Sequence, residues 1–334
     1  MGLKQDAPRD HENSGLLMSK SLVTCFLMVI TVLSSVGAAA GAAPQGPWQP
    51  ATRLSDPGIT SVSPQLAIAL DGRTTAVWAR SNGPLQTTTR PPGGSFGVPV
   101  DLVGSGPEAG SPRLAISPDG TETVVWRRAT DPNSLAVSAA TRPPGGSFGV
   151  PVDISAPTSR NPNGGDSLDG LNVVAAGEGT VTAIWLRKDG SSAPAVQAAT
   201  RPPGGSFGAP VNLSTAGMVS YPEIAGASDG TTTVVWSRRD NLPDALTVVQ
   251  AATRPPGGGF GTPVDISAPT GEVLGSPSIA AAKDGTATVV WSRKDFDGSG
   301  DPPSAIQAAT RPPGGSFGAA VELPGSRPAG GVPK

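Results

Sequence analysis

A chain of 334 residues that carries 45 glycines and 37 prolines, and no window of apolar residues at three-to-four spacing beyond its N-terminal region, excludes stacked helical repeats. Lysine and arginine number 24 against 26 aspartates and glutamates, with no run of like charge, which excludes a nucleic-acid groove or an anionic-membrane footprint. The single histidine, His11, and the single cysteine, Cys25, both fall in the N-terminal region, so the remainder has no His-dependent triad, no His or Cys metal site and no disulfide.

In chain order, Lys20 precedes the apolar run Leu22 to Val36, and the small residues Gly37 to Ala43 offer Ala-x-Ala cleavage sites. Residues 1–43 therefore read as a secretory signal peptide, and Met18 offers an alternative start with a Met-Ser-Lys head. An uncleaved N-terminal anchor is the other reading, because the apolar and small residues together approach the roughly 20 that span a bilayer. Cys25 lies before the apolar core, where it cannot serve a lipoprotein cleavage site. The expected product is an extracellular protein, not membrane-spanning once cleaved, with one domain over 44–326 and a disordered tail over 327–334.

The phrase Thr-Arg-Pro-Pro-Gly-Gly-Ser-Phe-Gly recurs almost unchanged at Thr89, Thr141, Thr200, Thr253 and Thr310. A second phrase, Asp-Gly or a relative followed by a Thr-rich run and Trp-x-Arg, places Trp78, Trp126, Trp185, Trp236 and Trp291 at spacings of 48, 59, 51 and 55 residues. A unit of that size cannot bury its own apolar faces and stacks on copies of itself. The spacing fits a blade of four short antiparallel strands, and the fold class predicted is all-β, a β-propeller of about five four-stranded blades.

The second copy shows how one blade is built. Strand A spans Pro112 to Ser117, and Asp119-Gly120 forms a tight primed hairpin turn. Strand B, Thr121 to Arg128, is β-branched and aromatic on both faces, as a strand between neighbouring blades must be. Strand C runs from Leu135 to Thr141, and Pro143-Pro144-Gly145-Gly146 reverses the chain in a type II-like turn. Strand D spans Phe148 to Ile154, and Pro151 within it removes a ladder donor, which places D at the outer rim. Trp48 to Ser55 also has the pattern of a D strand. A closed five-bladed ring is the first expectation, and an open array with a partly occupied sixth position is the alternative.

From each Trp to the next repeat Arg the distance grows from 12 to 20 residues, so the B–C loops vary while the A–B and C–D turns do not. Together with the D–A connections they make one end of the molecule variable, and loops on a rigid scaffold are where binding usually sits. At that end Arg80, Arg128, Arg187, Arg238 and Arg293 close every B strand. They form either a ring for an anionic ligand or a set of side chains packed on Trp and bonded to Asp131, Asp189, Asp240 and Asp295. In the last copy Asp295, Asp297, Ser299 and Asp301 place oxygens at alternate positions with Gly300 at the sixth, as a calcium loop would, although Ile306 stands where Glu is expected. A solvated acidic loop is the competing reading, and no other cofactor is expected.

The C–D phrase resembles the Asp-box of sialidase and BNR-repeat propellers, Ser-x-Asp-x-Gly-x-Thr-Trp. Thr141 to Phe148 matches it in the Ser/Thr, Gly, Ser/Thr and aromatic places, with Pro in place of the Asp in every copy. The resemblance covers residues 46–323 at the level of repeat plan and implies a propeller; in that family the Asp-box is structural and lies away from the catalytic face. A sialidase would need a Tyr nucleophile with a Glu partner. Tyr221, the only tyrosine, has Glu223 close by, but Tyr221-Pro222 stands where other copies have Ser-Pro and is expected to open strand A. The function expected is that of a secreted, monomeric, non-catalytic binding or scaffolding module for an extracellular glycan or protein, with a sialidase-like glycoside hydrolase as alternative. A repeat-based binder should carry several equivalent shallow sites between blades, whereas an enzyme needs convergent carboxylates in an axial pocket.

Overall fold

The computed structural model describes residues 50–106, 108–159, 168–177, 179–189, 192–214, 217–242, 244–268, 271–294 and 304–326. The chain divides into a unit Met1–Ala51, of which only the exposed Pro50 and Ala51 are described, and a unit Thr52–Lys334. The signal-like segment 1–43, the tail 327–334 and the acidic loop Asp295–Asp301 lie outside the described residues.

The second unit is a β-propeller of five blades. Blade 1 holds β1 (Ser61–Ile68), β2 (Thr74–Arg80), β3 (Gln86–Arg90) and β4 (Val100–Asp101). Blade 2 holds β5 (Gly110–Ile116), β6 (Glu122–Asp131), β7 (Ser134–Arg142), β8 (Val152–Asp153) and β9 (Thr158–Ser159). Blade 3 holds β10 (Leu168–Ala176), β11 (Thr180–Arg187), β12 (Ala195–Arg201) and β13 (Val211–Asn212). Blade 4 holds β14 (Met218–Gly226), β15 (Thr232–Arg239), β16 (Thr247–Arg254) and β17 (Val264–Asp265). Blade 5 holds β18 (Glu272–Ala281), β19 (Ala287–Lys294), β20 (Ser304–Arg311) and β21 (Val321–Glu322). Within each blade the four strands pair antiparallel in chain order, and β9 extends the outer edge of β7 beyond β8.

The tryptophans of blades 2 to 5 pack backwards onto the preceding blade. Trp126 lies among Val77, Ala79 and Leu85; Trp185 meets Val125 and Val137; Trp236 meets Ile184 and Val196; Trp291 meets Val235 and Val249. This is why the B strands are apolar on both faces: one side of β6 serves blade 1 and the other serves blade 3. An aromatic of this size buries about 150–250 Å², so each junction rests on one dominant side chain.

Four local expectations are corrected. The A–B turn is a three-residue loop, closed by Ser117 N donating to Thr121 O at 2.8 Å and Gly120 N to Ser117 O at 2.8 Å. Only Gly120 has a positive φ there, 82°, so the turn is of the longer hairpin type and not the two-residue primed one. Strand D shrinks to Val152–Asp153, and the chain before it is held by Gly149 N on Thr141 O instead of a ladder; blade 5, with Ala320 in place of the proline, is built the same way, with Gly318 N on Thr310 O. No strand occurs at residues 50–55, where the D-like pattern around Leu54 falls. Tyr221 does not open strand A but lies inside β14, at a bulge found in all five inner strands. The bulge residue is left-handed each time: Ser63 (φ 53°), Ser111 (50°), Gly170 (60°), Tyr221 (54°) and Gly275 (70°).

The inner strands neighbour one another in the succession β1, β5, β10, β14, β18. Among the described residues no packing of comparable extent joins β18 to β1, and these two strands are the exposed ones, with Leu66 60 % and Ile68 63 % accessible on β1. Among the described residues, the fifth and first blades are therefore not joined as the other neighbours are.

Candidate functional site

The arginines that close the B strands each meet a polar partner in their own blade, and Arg187 also reaches back to blade 2. Arg80 donates to Asp101 at 3.0 Å, and Arg128 Nη2 reaches both oxygens of Asp153 at 2.7 and 2.6 Å. Arg187 donates to Asp189 at 2.8 Å and to the carbonyls of Ala156 and Pro157; its bond is the chief reason the Asp189 carboxyl sits below its ordinary pKa. Arg238 meets Asp240 at 2.6 Å, and Arg293 is buried with its guanidinium on Gln307 Oε1 at 3.4 Å. Asp189 and Asp240 are partners that the sequence indicates. Asp101 and Asp153 come instead from the D strands, which the arginine reaches across strand C. In blades 1, 3 and 4 a relay runs across the sheet: the Trp indole N–H donates to Gln86, Gln197 or Gln250, and the glutamine amide donates to Asp101, Asn212 or Asp265.

A second polar group lines the inner strands directly after the bulges. Glu223 Oε2 accepts from Asn172 Nδ2 at 3.2 Å. Burial raises the Glu223 carboxyl above its ordinary pKa, opposed by that bond and by Arg113, while burial lowers Arg113 with Glu223 opposing. Tyr221 is 54 % exposed beside this group.

Grooves of one design occur between successive blades. The D strand of one blade forms one wall, and the Ser-Phe-Gly part of the repeat phrase in the next blade forms the other. The groove between blades 2 and 3, about 650 Å³, lies between Val152–Ala156 and Ser206–Pro210. The groove between blades 3 and 4, about 600 Å³, lies between Val211–Ser214 and Gly259–Pro263. The groove between blades 4 and 5, about 470 Å³, lies between Val264–Ala268 and Ser316–Ala320. All three carry the half-buried phenylalanine of the phrase: Phe207, Phe260 or Phe317.

Sequence reasoning overlooked the arginine inside the phrase, although it is the phrase's only charged residue. In blades 1 and 2 this arginine lies over the phenylalanine of its phrase, and in blade 2 it also meets a carboxylate. Arg90 stacks over Phe96 at 5.6 Å, and Arg142 stacks over Phe148 at 4.7 Å while bonding to Glu122 at 2.5 Å. Glu122 is fully buried and also holds Arg73 at 2.9 Å and the hydroxyl of Thr75 at 3.1 Å. Its counterparts in the other B strands, Thr74, Val181, Thr232 and Ala287, carry no charge. Arg201, Arg254 and Arg311 are 4–5 % exposed and have no carboxylate partner among the described residues, while Nε is unbonded in all five copies of this arginine.

No family model matches the chain, and no characterised protein matches it in sequence. Solved structures do. The polysaccharide lyase Uly1 is similar at a TM-score of 0.52 and 12 % identity over 77 % of this chain and 71 % of its own, which shows a shared fold. An α-L-arabinanase of Penicillium chrysogenum gives a TM-score of 0.48 and 12 % identity over 80 % and 94 % of the two chains. A Hadza microbial sialidase gives 0.40 and 14 % over 79 % and 58 %.

Proposed function

We propose that the chain is a secreted, non-catalytic β-propeller that binds carbohydrate or another extracellular ligand through grooves repeated between its blades. The observation that supports this reading is the recurrence of one groove at three junctions, each with a phenylalanine face beside backbone polar groups. A flat aromatic face flanked by hydrogen-bonding groups suits a sugar ring, and equivalent sites in series favour a polymer, since each further contact is made at high effective concentration. The lyase whose fold the chain shares is named for action on a polysaccharide, which is in keeping with this ligand class.

A sialidase-like hydrolase is the second reading, favoured by Tyr221 and Glu223 on one inner strand with Arg113 acting on Glu223. A glycan-array screen run in parallel with fluorogenic glycoside hydrolysis separates the two. Binding without turnover is expected. Turnover lost on Tyr221→Phe or Glu223→Gln would establish the hydrolase, and silence in both assays would redirect the search to protein partners.

A further inference from the structure

The three grooves differ in charge. The groove between blades 2 and 3 contains Arg201 but also Asp153, which Arg128 already engages, and the groove between blades 4 and 5 contains Arg293 but also Asp265, which Gln250 and Arg238 engage. In the groove between blades 3 and 4 the only ionisable lining residue among the described ones is Arg254. Its side chain is 4 % exposed, and its three hydrogen bonds, to Gly258 O, Gly230 O and Thr232 Oγ1, are all at 3.4 Å and all to neutral acceptors. Nε has no acceptor. Asp229 lies in the adjoining cavity on the other side of Arg254, but its oxygens are taken by the N–H and hydroxyl of Thr231 at 2.8 and 2.9 Å.

A guanidinium removed from water without a counter-charge is costly, and the structure offsets this elsewhere with Glu122 or a phenylalanine face. Burial alone depresses Arg254, with no carboxylate opposing it. A planar guanidinium fork is suited to pairing with an oxyanion. Phe260, six residues on in the same phrase, lines the same groove and offers an aromatic face for a sugar ring.

We propose that the groove between blades 3 and 4 binds the oxyanion of an acidic sugar, a uronate carboxylate or a sulfate ester, with Arg254 as its counter-charge. This rests on the carbohydrate-binding reading and specifies its ligand class. An acidic polymer would seat one charged residue there and lay its neighbours in the flanking grooves.

The test titrates the full-length protein with oligogalacturonate, dextran sulfate and neutral dextran, reading calorimetric binding and melting temperature, and repeats this with Arg254→Gln and Arg254→Lys. Saturable binding of a charged probe is expected, weakened about tenfold by Arg254→Gln and less by Arg254→Lys, which keeps the charge but loses the fork. Without probe, Arg254→Gln should melt at or above the parent temperature, since it removes an uncompensated buried charge. Whichever charged probe binds identifies the oxyanion. If Arg254→Gln does not fold, Arg254→Lys decides: unchanged affinity for both charged probes overturns the proposal. Binding of neutral dextran alone, or charged-probe binding equal in parent and variants, overturns the acidic-sugar assignment and leaves the glycan-binding reading standing. No binding of any probe here, with a silent glycan array, overturns both.

Discussion

At the scale of single residues, Glu223 shows how position in the propeller sets chemistry. Its carboxyl is drawn out of water at a bulge on an inner strand, so the neutral form is favoured and the folded-state pKa stands above the unfolded one. The folded state then binds this proton more tightly than the unfolded chain. The stabilisation is complete below the unfolded carboxylate pKa of about 4.3 and is lost as pH rises through the higher folded value. Glu223→Gln has no such proton to lose and can still accept the bond from Asn172. Melting curves from neutral to acidic pH should therefore show the variant ahead of the parent at neutral pH, with the gap closing on acidification. A gap that is constant or widens would mean that Asn172 and Arg113 outweigh burial. The sequence singles out Tyr221 and Glu223 as neighbours, but not the bulge between them, because a bulge is set by pairing with a strand some ten residues away.

Elements built on local chemistry were the most legible. Pro143-Pro144-Gly145-Gly146 is the type II-like turn its composition demands: Gly146 N donates to Pro143 O at 3.0 Å, and Gly145 holds φ at 71°. An alanine at Gly145 meets no atom within 4 Å, so its cost is purely that of a left-handed backbone, about 1–2 kcal/mol. Urea titration of Gly145→Ala should show that loss with an unchanged slope, and a variant as stable as the parent would disprove the turn type. The rim strands were less legible. A Phe-to-Ile stretch reads as a full strand, yet in blade 2 only Val152 and Asp153 pair with β7, by way of Ala139 and Ser138. What fixes this edge is a side-chain device: Ser155 Oγ takes the N–H of Val137 at 2.9 Å, as Ser105, Ser214 and Ser267 do for Leu85, Val196 and Val249. That serine recurs just after each rim strand, but its role becomes visible only when strand C lies beside it. The phrase arginine was hidden for a related reason: its neutrality or charge debt depends on whether position 122 or its counterpart carries a carboxylate, a relation between B and C strands of one blade.

For the molecule as a whole, the repeat period gives the number of blades, whereas closure depends on contacts between the first and last, which no local pattern encodes. Stability in stacked repeats is a sum of unit and nearest-neighbour terms. Blades 2, 3 and 4 each have two such neighbours. Blade 1 packs on blade 2 and blade 5 on blade 4, and each retains a single junction among the described residues, marked by the clusters around Trp126 and Trp291. An end blade can then open by breaking one junction, whereas a middle blade must break two. In native-state hydrogen exchange the paired amides of β1 and β18 should lose protection first, about tenfold or more ahead of those in β10. The grooves that flank blade 3 should persist through that opening, because their walls belong to blades 2, 3 and 4. Equal protection across all five inner strands would require a fifth junction of similar strength, and would establish a closed ring. If protection falls at the ends as expected, ligand binding centred on Arg254 should raise protection in blades 3 and 4 and leave exchange in β1 unchanged, which places the binding surface on the part of the fold that opens last.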